Sequence, residues 1–549
     1  MKKIALLTAT LICTAGLFAQ TADEEEKIIL PELTTTVTGD SLTAGKDAVP
    51  DFSDVLPSES EDLPMPKLPG IQTGNVYDEP EADFSSASDK QIFANGLIGA
   101  GIPGYFTGDF SIYKSSGDNP FSLKFSHENQ NGYGKHDVTE GYFDRRTLLS
   151  GEKTITTKNF VFDFSAAYDN SAYGLQEKSE AFYDINYQTV STKDNIKWKL
   201  PYGFAFNLGG QAEWYNRYEG KNKDSVSSLL SQQEDGDVFF LNPVFKAQWE
   251  NYGFNIAFLS DYQCEFFYNS ESTAGSEDTS LISRGEFTLA FGWKNDFLKI
   301  AADGGVVVGN EIGGNTALPV FSLDFTGTFK AGSRDLVIEA TGGLLSELTK
   351  YSDAEKAYLF TASSILPSES TDWFGSLKLS LPIGSKLTLD AGTTFKKTAF
   401  GNGSWEADYS QTIGTENLYG LTEKERTILI SQAALSFSWK IFTVELEWKN
   451  NALHVPSNEY SNVIGGNLDF QSSLANWGFN AGLYETIGED VDLCPVIKGG
   501  AFYKLRDSIS LELAVDDVVK LIFRKDRDYG ESIYLKRAGS AKILVHFFF

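Results

Sequence analysis

Carboxylate side chains recur in segments where polar and apolar residues alternate. A period of two places alternate residues on opposite faces of a β-strand, so these carboxylates are predicted to share one face. One interpretation is a solvated wall without selectivity. The other is that the carboxylates line the acidic, water-filled interior (lumen) of a barrel, which favours cationic or neutral polar solutes over anions. The residues are Asp163, Glu213, Glu286, Asp324, Asp390, Glu445, Glu447 and Glu512.

A glycine motif near residue 100 has the spacing of a dinucleotide-binding loop but lacks its context. Gly99, Gly101 and Gly104 match the spacing, yet such a loop must open a helix whose N-terminus faces the phosphates. An alternating segment, Tyr105–Ile112, follows instead. The glycines are therefore predicted to mark a bend or a close backbone contact.

The histidines show no pattern typical of metal binding or catalysis. They are His127, His136, His454 and His546. His136 and Asp137 could be combined with Ser126 and Ser150 into a hydrolase site, but no nucleophile motif accompanies them. We expect no enzyme, no cofactor and no metal site.

The elements that carry the carboxylates are predicted to be strands. Phe160, Phe162 and Phe164 alternate with other residues, and the period recurs at 204–209 and 442–449. A soluble sandwich would share this period, but the connections favour a membrane barrel, because tight turns alternate strictly with long polar loops. The long loops are expected near 217–236, 268–281, 347–371, 400–429 and 524–537.

Residues 91–549 are therefore predicted to form an all-β fold, a transmembrane antiparallel β-barrel. One strand for each run of about ten residues gives about 22 strands, with a range of roughly 16 to 22. Residues 1–19 resemble a secretory signal peptide, with Lys2 and Lys3 before an apolar run. Beyond it, no stretch approaches the ~18 consecutive apolar residues of a membrane helix.

Residues 20–90 have a different composition. They contain 17 Asp and Glu against 4 Lys, and seven of the sixteen prolines. Such a segment buries too little apolar surface to offset the entropy of ordering, so we predict a disordered periplasmic tail. The whole chain has a net charge of −29, which argues against nucleic-acid binding. Cys264 and Cys494 remain after signal cleavage, and sequence alone leaves their pairing open.

The last strand is predicted to direct insertion into an outer membrane. Its outward residues end on an aromatic side chain at the chain terminus, a pattern similar to the signal that the outer-membrane assembly machinery reads. They are Ile543, Val545, Phe547 and Phe549. This places the C-terminus in the periplasm, with the short turns inside and the long loops outside. An even strand number then places the tail in the periplasm as well.

Both ends of the predicted barrel resemble a known family. The run 96–110, with 121–127 and 132–134, is similar to the opening strands of TonB-dependent-receptor-like barrels that lack a recognisable plug domain. The stretch 511–517, with Tyr534 and 539–549, is similar to the final strand pair of TonB-dependent receptors. The tail is too short for a receptor plug, so either long loops, the tail or a separate plug or lid protein closes a lumen of this width, or the barrel has fewer than 22 strands.

A Thr-rich segment in the tail resembles a TonB box. An extended, β-prone segment of this kind could add a strand to the sheet edge of a TonB-like periplasmic protein. Its residues are Leu33, Thr34, Thr35, Thr36, Val37, Thr38 and Gly39.

The sequence thus predicts an outer-membrane channel or TonB-coupled transporter that passes a polar solute through its lumen. The expected partners are outer-membrane lipid and the assembly machinery, with the TonB-like protein or the separate plug or lid as further candidates. The alternative is a non-transport surface barrel, an adhesin or structural protein that binds partners through its long outer loops.

Overall fold

The computed structural model describes the barrel and parts of its loops. The described residues are 92–114, 119–179, 182–221, 234–268, 280–309, 317–331, 334–361, 369–400, 404–413, 417–424, 427–453, 455, 461–487, 495–528, 532–537 and 539–549. The predicted signal peptide, acidic tail and TonB-box-like segment lie outside them, as do His454 and Cys494. Cys264 lies on a described strand.

Twenty-two strands form one antiparallel sheet. They are β1 (Phe93–Ile102), β2 (Tyr105–Lys114), β3 (Phe121–Asn131), β4 (Phe143–Thr156), β5 (Phe160–Gly174), β6 (Phe182–Lys199), β7 (Phe204–Lys221), β8 (Glu234–Asn251), β9 (Phe254–Tyr268), β10 (Ser280–Lys294), β11 (Leu298–Gly309), β12 (Ala317–Ala331), β13 (Arg334–Leu348), β14 (Glu369–Ile383), β15 (Leu387–Phe400), β18 (Thr427–Trp439), β19 (Phe442–Asn451), β20 (Asn462–Gln471), β21 (Trp477–Ile487), β22 (Val496–Arg506), β23 (Ile509–Asp516) and β26 (Ser540–Phe548).

The remaining elements lie in the connections. Two small hairpins pair β16 (Ser404–Ile413) with β17 (Leu418–Lys424), and β24 (Arg527–Asp528) with β25 (Leu535–Lys536). The helices are α1 (Tyr351–Ala357), α2 (Val518–Phe523) and two 3₁₀ turns, Val138–Glu140 and Pro201–Gly203. In the described part of the chain, no helix has the length and apolar character required to span a membrane.

The sheet closes on itself between its first and last strands. β26 pairs with β23 on one side and with β1 on the other, where Gly99 lies opposite Leu544. A Cβ atom at Gly101 would lie 2.2 Å from the carbonyl oxygen of Ala541. The predicted 22-stranded antiparallel barrel is confirmed, and so is the close backbone contact at these glycines.

The two ends of the barrel differ in their connections. At one end the strands are joined mostly by turns of two to five residues. In the turn Tyr252-Gly253, both residues have positive φ, 49° and 78°. This backbone matches the right-handed twist of a two-residue hairpin. We call this the short-turn end, and both Phe93 and Phe549 lie there. Most strands are joined at the opposite, long-loop end by seven or more residues.

The first hairpin departs from the predicted strict alternation. Only Pro103 and Gly104 join β1 to β2, although this connection lies at the long-loop end. The connection between β23 and β26 crosses from β26 past this hairpin to the β3–β4 loop, where Asp526 contacts His136 at 3.4 Å. A long first loop would compete with this crossing segment for the same position.

The wall is taller on one side than on the other. β6, β7 and β8 have 18 residues each, whereas β19 and β20 have 10 each and β23 has 8. About ten residues suffice for a strand to cross the hydrocarbon layer. The tall strands therefore rise beyond that layer at the long-loop end and offer inner surface on which loops can pack.

Candidate functional site

The eight carboxylates predicted from the sequence lie on the polar face of the wall. On β7, Phe204 and Leu208 are exposed on one face, and Glu213 lies on the opposite face with Tyr215. The exposed apolar face of a membrane barrel faces lipid, so the face with Glu213 is the lumen face. The carboxylates are not gathered in one cluster, because they are distributed around the wall over β5, β7, β10, β12, β15, β19 and β23.

Five of these carboxylates have partners within the wall, four of them on a neighbouring strand and Glu286 on its own strand, β10. Asp324 and Glu286 accept hydrogen bonds from Thr341 and Arg284, respectively. The other distances are 2.6 Å from Thr154 to Asp163, 3.3 Å from Ser436 to Glu445, and 2.9 Å from His546 to Glu512. Part of the acidic charge is therefore matched within the wall.

Glu213 differs because, besides Gln211 on its own strand at 3.4 Å, it has partners in a loop on the lumen side of the wall. The connection between β13 and β14 carries α1, and the Ser352 hydroxyl donates a 2.7 Å hydrogen bond to Glu213. The carboxylate of Glu265 on β9 accepts a hydrogen bond of 3.1 Å from the backbone N–H of Tyr351, in the first turn of α1. Two acidic side chains of the wall thus hold the start of this helix.

The middle of α1 is held by a buried ion pair. Glu355 is fully buried, accepts the hydroxyl of Tyr215 and lies 2.9 Å from Nη1 of Arg217. Arg217 also contacts Glu219 at 3.0 Å. Arg217, Glu219 and Tyr215 all belong to β7 and are nearly inaccessible to solvent. A charged group so buried requires partners such as these.

Two lysines flank this ion pair and lie against aromatic rings of the wall. Lys350 Nζ lies 3.4 Å from Glu213 and 5.2 Å from the ring centre of Phe240. Lys356 Nζ donates to the Thr189 hydroxyl at 2.6 Å. Burial lowers the pKa of Lys350, but the nearby carboxylates raise it by more, so its pKa lies above the ordinary value and the ammonium is charged.

Aromatic side chains join three long loops over the helix. Phe360, which follows α1, stacks on Tyr534 with ring centres 4.1 Å apart. Its carbonyl accepts the backbone N–H of Tyr419, on β17, at 2.9 Å. Tyr534 is fully buried and donates its hydroxyl to the carbonyl of Asn417. We call these packed loop segments, 350–361, 404–413, 417–424 and 532–537, the loop cap.

The loop between β23 and β26 also connects the cap to the barrel closure. Arg537 donates to Glu128 on β3 at 2.7 Å and, from Nε, to Asp144 on β4 at 3.0 Å. Burial opposes the charge of Arg537, but these carboxylates outweigh burial and raise its pKa above the ordinary value. Tyr133 donates to the same Asp144 at 2.9 Å. Charge-assisted bonds thus bridge the short first hairpin.

The possible hydrolase residues have structural contacts instead. His136 stacks on Tyr142 with centres 4.1 Å apart, and Asp137 accepts the backbone N–H of Thr139 to cap a 3₁₀ turn. Ser126 and Ser150 lie within wall strands. Across the described residues, no group of three or more His, Cys, Asp or Glu side chains could hold a metal ion.

The predicted assembly residues lie on the lipid-facing side of β26. Ile543 is 55% exposed and Phe549 77% exposed, whereas Leu544 and His546 on the opposite face are buried. Their use as an assembly signal stays a prediction. The TonB-box-like residues 33–39 lie outside the described residues.

Sequence reasoning missed the loop cap. Two signals were present: aromatic residues in otherwise polar loops, such as Tyr419 and Tyr534, and the helix-favouring stretch 353–357 inside a long loop. Neither signal specifies a partner, and the partners are distant in sequence, 86 positions for Tyr351 with Glu265 and 117 for Tyr534 with Asn417.

The chain has the fold of solved outer-membrane transporters. The FrpB iron transporter of Neisseria meningitidis matches with a TM-score of 0.61 and 9% sequence identity over 84% of this chain and 82% of that one. The siderophore receptor PirA of Acinetobacter baumannii gives 0.60 and 10%, over 83% and 80%. The copper transporter OprC gives 0.59 and 11%, over 84% and 80%.

Sequence comparisons identify no family for the chain. No family model matches the chain. No curated protein matches it either. The solved neighbours are TonB-dependent receptors with 22-stranded barrels, so the resemblance predicted from the sequence is confirmed for the barrel. At these identities the likeness concerns the fold.

Proposed function

We propose that this protein is an outer-membrane transporter that passes a polar solute through the barrel lumen. The observation that carries the proposal is the closed 22-stranded wall with an apolar outer face and a charged inner face. An apolar exterior suits lipid, and a polar interior suits water and solute. The solved neighbours, described as transporters and receptors of iron, siderophores and copper, support transport over catalysis.

In this proposal the short-turn end faces the periplasm and the long loops face outward. Both Phe93 and Phe549 lie at the short-turn end, which supports the proposal that residues 20–90 lie on the periplasmic side. The lumen carboxylates favour cationic or neutral polar solutes over anions. Residues 543–549 of β26 present the assembly signal.

The direct test is conductance of the purified chain in a planar lipid bilayer. Ion current above the lipid background supports passage through the lumen. Two results together would favour the surface-barrel alternative. The purified chain would carry no current, and cells that express it would bind host or neighbouring surfaces only when the long loops have their full length. The packed loop cap gives that alternative a defined outer surface.

We also propose that Leu33–Gly39 pairs with a TonB-like periplasmic protein. Deleting this segment should abolish energy-dependent uptake in cells while leaving the amount of folded barrel unchanged. Unchanged uptake would remove the segment from the mechanism, and a separate plug or lid partner would then be sought by cross-linking from the short-turn end.

A further inference from the structure

The α1 segment is attached to one sector of the wall by polar contacts and by aromatic contacts of Tyr351, whose ring centre lies 6.2 Å from that of Tyr215 and 5.5 Å from that of Phe267. The hydrogen bonds and ion pairs described above go to Thr189 on β6, to Glu213, Tyr215 and Arg217 on β7, and to Glu265 on β9. Release of the helix therefore requires its contacts with β6, β7 and β9 to break, while the rest of the wall stays unchanged.

Release must separate the aromatic contacts of Tyr351 and Phe360, but the polar part of the attachment makes it less costly than it would be for a wholly apolar plug. Glu355 and Arg217 are desolvated while they are paired, and this desolvation opposes their attraction. When the segment leaves the wall, lumen water can solvate both partners, so neither is left buried and unpaired. The attached and released arrangements can then differ by a small free energy, as a two-state element requires.

The wall behind the segment has the groups that recognise organic ammonium ions. A carboxylate and an aromatic face together attract such cations. Lys350 lies between the Glu213 carboxylate and the Phe240 ring. Lys356 lies beside the Thr189 hydroxyl, with its Nζ 5.6 Å from the ring centre of Tyr215. Two ammonium groups of the chain itself thus occupy this wall.

We propose that segment 350–361 is an autoinhibitory gate whose two lysines occupy a wall site for organic ammonium solutes. Such a solute competes with the lysines, releases the segment and then passes along the freed wall. The inference rests on the proposed function, because a gate requires a path for solute.

Substitution of the ion pair tests the gate in bilayer recordings of the full chain. Glu355→Gln keeps the shape of the side chain but removes its charge, and should increase the open fraction roughly tenfold. The matched control is Glu250→Gln, because Glu250 pairs with Lys294 at 2.8 Å near the short-turn end of β8, the end of the strand opposite the long loops. The control should conduct like wild type.

A double variant guards against a folding defect in Glu355→Gln. Lys350→Met with Lys356→Met retains the apolar stems and the buried ion pair while removing both ammonium groups. It should also increase the open fraction. Heat-modifiable migration in gels confirms that each variant forms a folded barrel before recording.

The ammonium site is tested with n-butylammonium chloride, which mimics a lysine side chain. Added at low concentration to fixed sodium chloride, it should raise the wild-type open fraction several-fold, while n-butanol should not. The double lysine variant should not respond further. An unchanged wild-type open fraction would overturn the ammonium site.

The outcomes separate the gate from the proposed function. If wild type conducts and the Glu355 and lysine variants conduct equally, the gate is wrong and transport stands. If neither wild type nor a variant with 350–361 replaced by a Gly-Ser linker conducts, both proposals fail.

Discussion

Tyr534 is the residue through which the separate loops of the cap become one packed unit. It is fully buried, stacks on Phe360 and bonds the backbone of Asn417. Its backbone neighbour Ile533 donates to the hydroxyl of Tyr419 at 2.7 Å. One aromatic side chain therefore connects the loops that follow β13, β15 and β23.

Tyr534→Ala should loosen the cap without unfolding the wall. Loss of a buried aromatic side chain costs about 3 kcal/mol, and the strand ladder does not depend on it. Limited proteolysis should show faster cleavage within 404–424, while the barrel core stays resistant. Tyr252→Ala is the control, since Tyr252 is 91% exposed in a turn. Equal cleavage of both variants would contradict the role given to Tyr534.

At the scale of elements, the closure between β1 and β26 depends on two glycines of β1, whose lack of a side chain allows the strands to lie close together. A Cβ at Gly99 would lie 2.2 Å from a side-chain carbon of Leu544, which can move, whereas a Cβ at Gly101 would meet backbone. Arg537 then bridges over the short first hairpin to β3 and β4. The seam between β1 and β26 is thus stabilised by close backbone packing within the wall and by the ion pairs of Arg537 at the long-loop end.

Gly101→Ala should therefore impair barrel closure. The added methyl group would require β1 and β26 to separate, because the atom it meets is the backbone oxygen of Ala541. We expect a several-fold lower yield of heat-modifiable, membrane-inserted protein. Gly108→Ala on β2 is the matched control, since no atom lies within 4 Å of a Cβ there. Normal assembly of Gly101→Ala would show that the seam can adjust.

The wall could be predicted from the sequence, and the cap could not, for a physical reason. A strand's period-two pattern is local: the alternation at 442–449 predicts β19 without knowledge of its neighbours. The contact between Tyr215 and Glu355 joins residues 140 positions apart, and nothing local specifies it. The first hairpin departs from the alternation rule at a place where distant residues meet, because Arg537 and Asp526 contact Glu128 and His136 across it.

At the scale of the whole molecule, some carboxylates are paired with basic side chains and others are not. The chain carries −29 in total, of which −13 lies between residues 20 and 90. Within the barrel, Arg217, Arg284 and Arg537 pair with inward carboxylates. Glu445 and Glu447 lie two residues apart on the lumen face of β19, and Glu445 accepts from the neutral hydroxyl of Ser436. This hydrogen bond does not neutralise the carboxylate.

Passage through the lumen should favour cations, and the carboxylates of β19 should contribute. Reversal potentials under a salt gradient measure the preference. A unit charge acting at 6 Å in water stabilises a cation and destabilises an anion by about 0.7 kcal/mol each, so Glu445→Gln or Glu447→Gln should reduce the cation-to-anion permeability ratio by roughly tenfold. Glu177→Gln is the control, because Glu177 is exposed in the β5–β6 loop. Anion selectivity of the wild type would refute the acidic lumen, and an equal change in all three variants would place selectivity outside the wall.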